Sequence, residues 1–132
     1  MPGELPDALQ LRDVKYSPKS TDAQRVATAE AFLAAGRLAE ALDLLLLARD
    51  EAGVARLRRR AVEEGRPILL LALRRDGRPV AREEWRRAGD AAAGAGRWRE
   101  AFRAYTEAGD EEALARASAV LPGYELWQPQ GK

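Results

Sequence analysis

The stretch "AAGRLAEALDLLLLARDEAGVAR" (34–56) returns sixty residues later as "GAGRWREAFRAYTEAGDEEALAR" (94–116), with Gly36 aligned on Gly96 and every later landmark in step. No other feature constrains the fold as strongly, because one pattern written twice demands one local structure twice. Three Gly-Arg dipeptides, Gly36-Arg37, Gly65-Arg66 and Gly96-Arg97, divide the interval into steps of 29 and 31 residues, so the unit is about thirty residues long. Glycine just past a helix end adopts the left-handed conformation without a Cβ penalty. Pro67, one residue after Arg66, suits the first turn of a helix, where its missing N–H had no partner. Each Gly-Arg therefore reads as the turn between two helices.

The segments between these turns have helical period. In "LAEALDLLLLA", Leu38, Ala41, Leu42 and Leu45 form one stripe, and Leu44 and Leu47 carry the apolar surface round the side. In "WREAFRAYTEA", Trp98, Ala101, Phe102, Tyr105 and Ala108 form a cleaner stripe, with Arg99, Glu100, Arg103, Thr106 and Glu107 left for solvent. Asp50-Glu51 and, sixty residues on, Asp110 with Glu111 and Glu112 supply caps and negative charge at helix starts. Helices are expected at 22–35, 37–49, 51–64, 67–75, 81–95, 97–109 and 111–121, with a turn at "RRDGRPV". Residues 1–20, with Pro2, Pro6 and Pro18, read as a largely irregular arm holding at most a short helix near Leu5 to Val14. Residues 21–121 form the repeat domain, and 122–132 a tail whose Tyr124, Leu126 and Trp127 are expected to fold back on the core.

Composition narrows the chemistry. The 132 residues are 46% hydrophobic and 33% charged, a globular balance. With no cysteine and no histidine, the chain has no disulfide, no thiol nucleophile, no Ser-His or Cys-His pair and no zinc site of the usual kinds. Neighbouring carboxylates such as Glu63-Glu64 and Glu83-Glu84 point about 100° apart on a helix, and no glycine-rich phosphate loop follows a strand. The expectation is a non-enzyme with no cofactor and no metal. "MPGELPDALQ" shows no basic start before an apolar core, and "LLLLA" and "ILLLAL" are too short to span a membrane. A cytoplasmic protein without a membrane partner is therefore expected.

Beginning at Trp85, the positions Trp85, Ala88, Gly89, Ala92, Ala101, Tyr105 and Ala108 follow the tetratricopeptide (TPR) spacing. Sixty residues earlier, Ala29, Phe32, Ala41, Leu45 and Ala48 follow it with Arg25 in the place of tryptophan. The chain resembles a divergent TPR-like array over 22–121, with a period nearer thirty than thirty-four and no late proline. The resemblance implies an all-α, right-handed α-solenoid of about three antiparallel helical hairpins plus a C-terminal capping helix. It also implies a scaffold for protein–protein interaction, an adaptor or small subunit of a larger assembly, whose first helices line a concave groove for a peptide or partner protein. Transferred by position, the groove residues are Glu30, Leu33, Arg59, Val62, Arg86 and Asp90, with Arg59 and Arg86 suited to an acidic or C-terminal peptide.

Two other readings compete. Net charge is only +1, but residues 56–87 hold eleven arginines against five acids, so the alternative function is nucleic-acid binding through the Arg-rich middle repeat. Against it, Arg58, Arg59 and Arg60 fan around a helix. Arg59–Glu63, Arg60–Glu64 and Glu83–Arg87 have the spacing of intrahelical pairs, and Trp85 is the only interleaved aromatic. Formation of a homo-oligomer through the arm or the tail is the remaining reading.

Overall fold

A computed structural model describes residues 5–121; Tyr124, Leu126 and Trp127, expected to fold back on the core, lie outside the described residues. Those residues are all-α: eight helices and no strand. They are α1 (Ala8–Tyr16), α2 (Asp22–Ala34), α3 (Leu38–Ala48), α4 (Glu51–Glu64), α5 (Pro67–Arg75), α6 (Arg82–Gly94), α7 (Trp98–Ala108) and α8 (Glu111–Val120). From α2 onward each expected span agrees to within one residue at either end. In the arm the helix is Ala8–Tyr16, overlapping the short helix expected near Leu5 to Val14 and ending two residues beyond it.

The chain forms two compact units, with the boundary between Leu57 and Arg58 inside α4. In the first, α2 packs on α3 and α1 on α2. α1 starts from a reciprocal capping box between Asp7 and Gln10 and buries no side chain. A nine-residue helix is marginal by itself, so its ties matter. Arg25 donates from Nε and Nη2 to the Lys15 carbonyl at 3.2 and 3.0 Å, and Lys15 pairs with Asp43 at 3.1 Å. α2 opens on a second capping box, Thr21 with Gln24. Ala29, Phe32, Leu38, Ala41, Leu42, Leu44, Leu45, Val54 and Leu57 make the core of this unit.

In the second unit α6 packs on α7, α7 on α8, and α5 on both α6 and α7. The bounds of α6 and α7 fall sixty residues after those of α2 and α3. The turns match as well: Gly36 and Gly96 have φ of +76° and +78°, and the Arg37 and Arg97 backbones nearly coincide. Asp50 and Asp110 each accept a hydrogen bond from the N–H three residues on, at 3.1 Å, as expected of caps. Gly89 lies under the Tyr105 ring: a Cβ there would come within 2.5 Å of Cε1. Ala92, Ala101, Tyr105, Ala113, Leu114 and Ala117 form a core cluster on which Trp98 and Phe102 are only partly buried. Their removal therefore leaves a smaller cavity than a fully buried stripe would.

Candidate functional site

α5 is apolar nearly all round ("PILLLAL"), and packing covers Pro67, Leu69, Leu70, Leu71 and Leu73. Ile68 is left over, 50% exposed. α7 contributes the opposite wall. Its core stripe faces α6 and α8, while Arg99, Arg103 and Thr106, spaced four and then three apart, occupy one outer face beside half-buried Phe102. Between the two helices opens a cleft of about 520 Å³ lined by Pro67, Ile68, Arg99, Glu100, Phe102, Arg103, Thr106 and Glu107. That lies within the roughly 300–1,000 Å³ typical of ligand pockets.

Two acids and two arginines line the cleft, and they are not equivalent. Glu107 is held at 2.5 Å by Arg74, whose guanidinium also stacks 5.4 Å from the centre of the Trp85 ring. The hydrogen bond that Arg74 donates to the Glu107 carboxylate favours the charged guanidinium and raises its pKa. Glu100 is bonded by Arg97 and approached by Arg66 at 3.9 Å. Arg99 and Arg103 are exposed and have no acidic partner among the described residues. The cleft therefore presents an apolar floor and an uncompensated pair of guanidinium groups one helical turn apart. Ile68 and these two arginines were not among the expected partner-binding residues. Two signals in the sequence mark them: an apolar run too continuous for one helix face, and like charges four apart on α7.

The expected groove residues lie on three helices. On α2, Glu30 is exposed and paired with Arg56 at 3.1 Å, and Leu33 is half-buried. On α4, Arg59 is exposed, whereas Val62 is buried at 5% and contributes to the core; its position follows Leu57-Ala61 on the apolar side of the helix. On α6, Arg86 is bonded by Glu83 at 2.6 Å and borders a second cleft with Arg82, Ala108, Gly109, Asp110 and Glu111. Asp90 accepts a hydrogen bond from the Tyr105 hydroxyl at 2.7 Å. Burial first, and then that bond, push the Tyr105 phenol up to about 12.

Most of the middle arginines are engaged. Arg58 forks onto both Glu84 oxygens at 2.6 and 2.7 Å and reaches the Pro79 carbonyl at 2.5 Å. Its guanidinium holds Glu84 below the usual carboxylate range. Arg60 pairs with Glu64 at 2.5 Å, as expected, but Glu83 takes Arg86 three residues on in place of Arg87. Others satisfy helix-end carbonyls that intrahelical bonding leaves open. Arg82 donates to Ala108 at 2.8 Å and, outside the middle segment, Arg97 donates to the carbonyls of Gly65, at 2.7 Å, and of Glu64. Among the described residues no group of three or more acidic, His or Cys side chains is placed to hold a metal ion, and no helix is long and apolar enough to cross a membrane. Comparison with protein-family models, curated proteins and solved structures gave no match to this chain.

Proposed function

We propose that the chain is a non-enzymatic protein–protein interaction module, an adaptor or small subunit that holds a partner segment in the α5–α7 cleft. The single observation that carries this is the combination of exposed Ile68, partly buried Phe102 and two arginines without an acidic partner among the described residues, in one concavity. Exposed apolar surface rimmed by polar groups marks docking sites on soluble proteins. We read the scaffold as a TPR-like α-solenoid: α2 with α3, α4 with α5 and α6 with α7 as three antiparallel hairpins, and α8 as the cap. The helix bounds recurring at sixty residues support that reading. Absent cysteine suits a reducing compartment such as the cytoplasm.

The test is a pull-down with the tagged full chain from lysate split into nuclease-treated and untreated halves, run beside Ile68→Asp. A stoichiometric protein retained by the wild type and lost with Ile68→Asp supports the cleft. Recovery that vanishes with nuclease supports the nucleic-acid reading instead. Retention unaffected by Ile68→Asp but lost with Arg59→Glu plus Arg86→Glu moves the site to the groove face of α4 and α6.

A further inference from the structure

Resting on the α5–α7 cleft as the docking site, we propose that its occupant is an acidic segment of a partner protein. One large apolar side chain of that segment lies against Ile68 and Phe102, and two carboxylates meet Arg99 and Arg103. By residue type the rim is neutral, with Arg99 and Arg103 against Glu100 and Glu107. By partner it is not. Glu107 is committed to Arg74, and Glu100 to Arg97 and Arg66, all of them outside the cleft. What remains for an incoming ligand is two positive charges beside an apolar floor. A basic or phosphate-free neutral segment would leave that field unanswered, and a basic one would be repelled.

Spacing narrows the segment further. Arg99 and Arg103 are four residues apart on a helix, a rise of about 6 Å. Side chains two apart on an extended strand point the same way and are separated by roughly 6.6 Å. An extended Asp/Glu-x-Asp/Glu step next to a Leu, Phe or Trp therefore matches the rim, and guanidinium groups can take each carboxylate bidentately. Cleft volume limits the apolar contribution to one or two side chains rather than a whole helix face.

The experiment is selection of a random dodecapeptide display library against the full chain and three variants: Arg99→Gln/Arg103→Gln, Ile68→Ser, and Tyr124, Leu126 and Trp127 together replaced by serine. The first two change exposed side chains, so folding is retained and is checked by circular dichroism. The expected result is enrichment of peptides with two Asp or Glu within three residues of a large apolar residue. Their affinity should fall about tenfold in the arginine variant, the scale of two exposed charge contacts, and should weaken as salt rises. Enriched peptides without acidic bias, or an acidic bias that survives Arg99→Gln/Arg103→Gln, overturn the inference. If such peptides still fail with Ile68→Ser, the cleft remains the docking site and only the partner's chemistry is wrong. If neither variant alters the selection, or nothing is enriched, both fall. Enrichment seen only with the serine-substituted tail identifies the chain's own tail as the occupant and overturns a partner in trans.

Discussion

Replacing Gly65 by alanine should destabilise the protein more than the same change at Gly96, although both glycines stand before an arginine and both have positive φ, +67° and +78°. The shared cost is conformational. An L-residue in the left-handed region costs about 1–2 kcal/mol, partly offset because alanine restricts the unfolded chain by roughly 0.4–1 kcal/mol more than glycine. At Gly96 nothing else is present: a Cβ would meet no atom within 4 Å. At Gly65 it would lie 2.4 Å from the Ala92 nitrogen and 2.7 Å from the Ala88 carbonyl oxygen. Both obstacles are backbone, so no rotamer change removes them, and the end of α4 must move away from α6. Such overpacking costs typically 1–3 kcal/mol. The movement would also stretch the bonds from Arg97 to the Glu64 and Gly65 carbonyls.

The expected loss is thus about 1 kcal/mol for Gly96→Ala and about 2–4 kcal/mol for Gly65→Ala. Urea unfolding followed by circular dichroism measures both. Because both sites lie in the same compact unit, the comparison holds even if the two units unfold separately. Equal m-values are required for the difference in midpoint to be a difference in stability. Losses within about 0.5 kcal/mol of each other, smaller than the least overpacking cost, would refute the close approach of α4 to α6.

Three further outcomes follow from the geometry. Arg97→Ala should cost about 1–3 kcal/mol in the same unfolding assay, and Arg97→Lys should recover less than half of it, since one ammonium cannot span two carbonyls and Glu100. Arg49→Gly should stabilise by roughly 0.5–1 kcal/mol, because Arg49 holds φ +56° where Gly109 stands sixty residues later at +67°; a lower melting temperature for Arg49→Gly would contradict this. Tyr105 is neutral in both states below pH 10, so its contribution is complete there. It is lost as pH rises from 10 to about 12, where the unfolded phenol ionises first. Tyr105→Phe should flatten the alkaline decline in stability, about 2–3 kcal/mol across that window, and an unchanged slope would argue against a phenol raised by burial and by Asp90.

The helices are legible in the sequence because their signals are local. Gly36, Gly65 and Gly96 mark ends, Asp50 and Asp110 mark starts, and apolar period fills the intervals. Depth of burial is less legible. Trp98 and Phe102 satisfy the same period as Ala101 and Tyr105 but end only partly buried, because period places a residue on a face and does not say how far a neighbouring helix covers that face. Val62 shows the converse. Counting back from Gly65 put it on a groove, while its own helix period, with Leu57 and Ala61, put it in the core. Gly65 and Gly96 are indistinguishable by motif, since the backbone that crowds Gly65 comes from residues more than twenty positions away.

Charge is the property that composition describes least well here. The excess of arginine over acid in residues 56–87 suggests a field that could attract nucleic acid, yet pairing is decided by reach and not by proximity in sequence. Arg58 meets Glu84 twenty-six residues away and Arg74 meets Glu107 thirty-three away, while Arg82 and Arg97 are spent on backbone carbonyls. Arg74 thereby takes Glu107, and Arg97 also takes Glu100 three residues on, so the two acids that would otherwise balance Arg99 and Arg103 are already paired. The cleft's residual charge is therefore a consequence of how the second unit is held together. It follows that Arg74→Ala should weaken an acidic peptide without touching it: freed Glu107 becomes a competing partner for Arg103, four residues before it on α7, and the affinity of an acidic dodecapeptide should drop severalfold. An unchanged affinity, with the fold intact by circular dichroism, would mean that Glu107 does not set the field at the cleft, and the charge accounting behind the proposed acidic partner would fail with it.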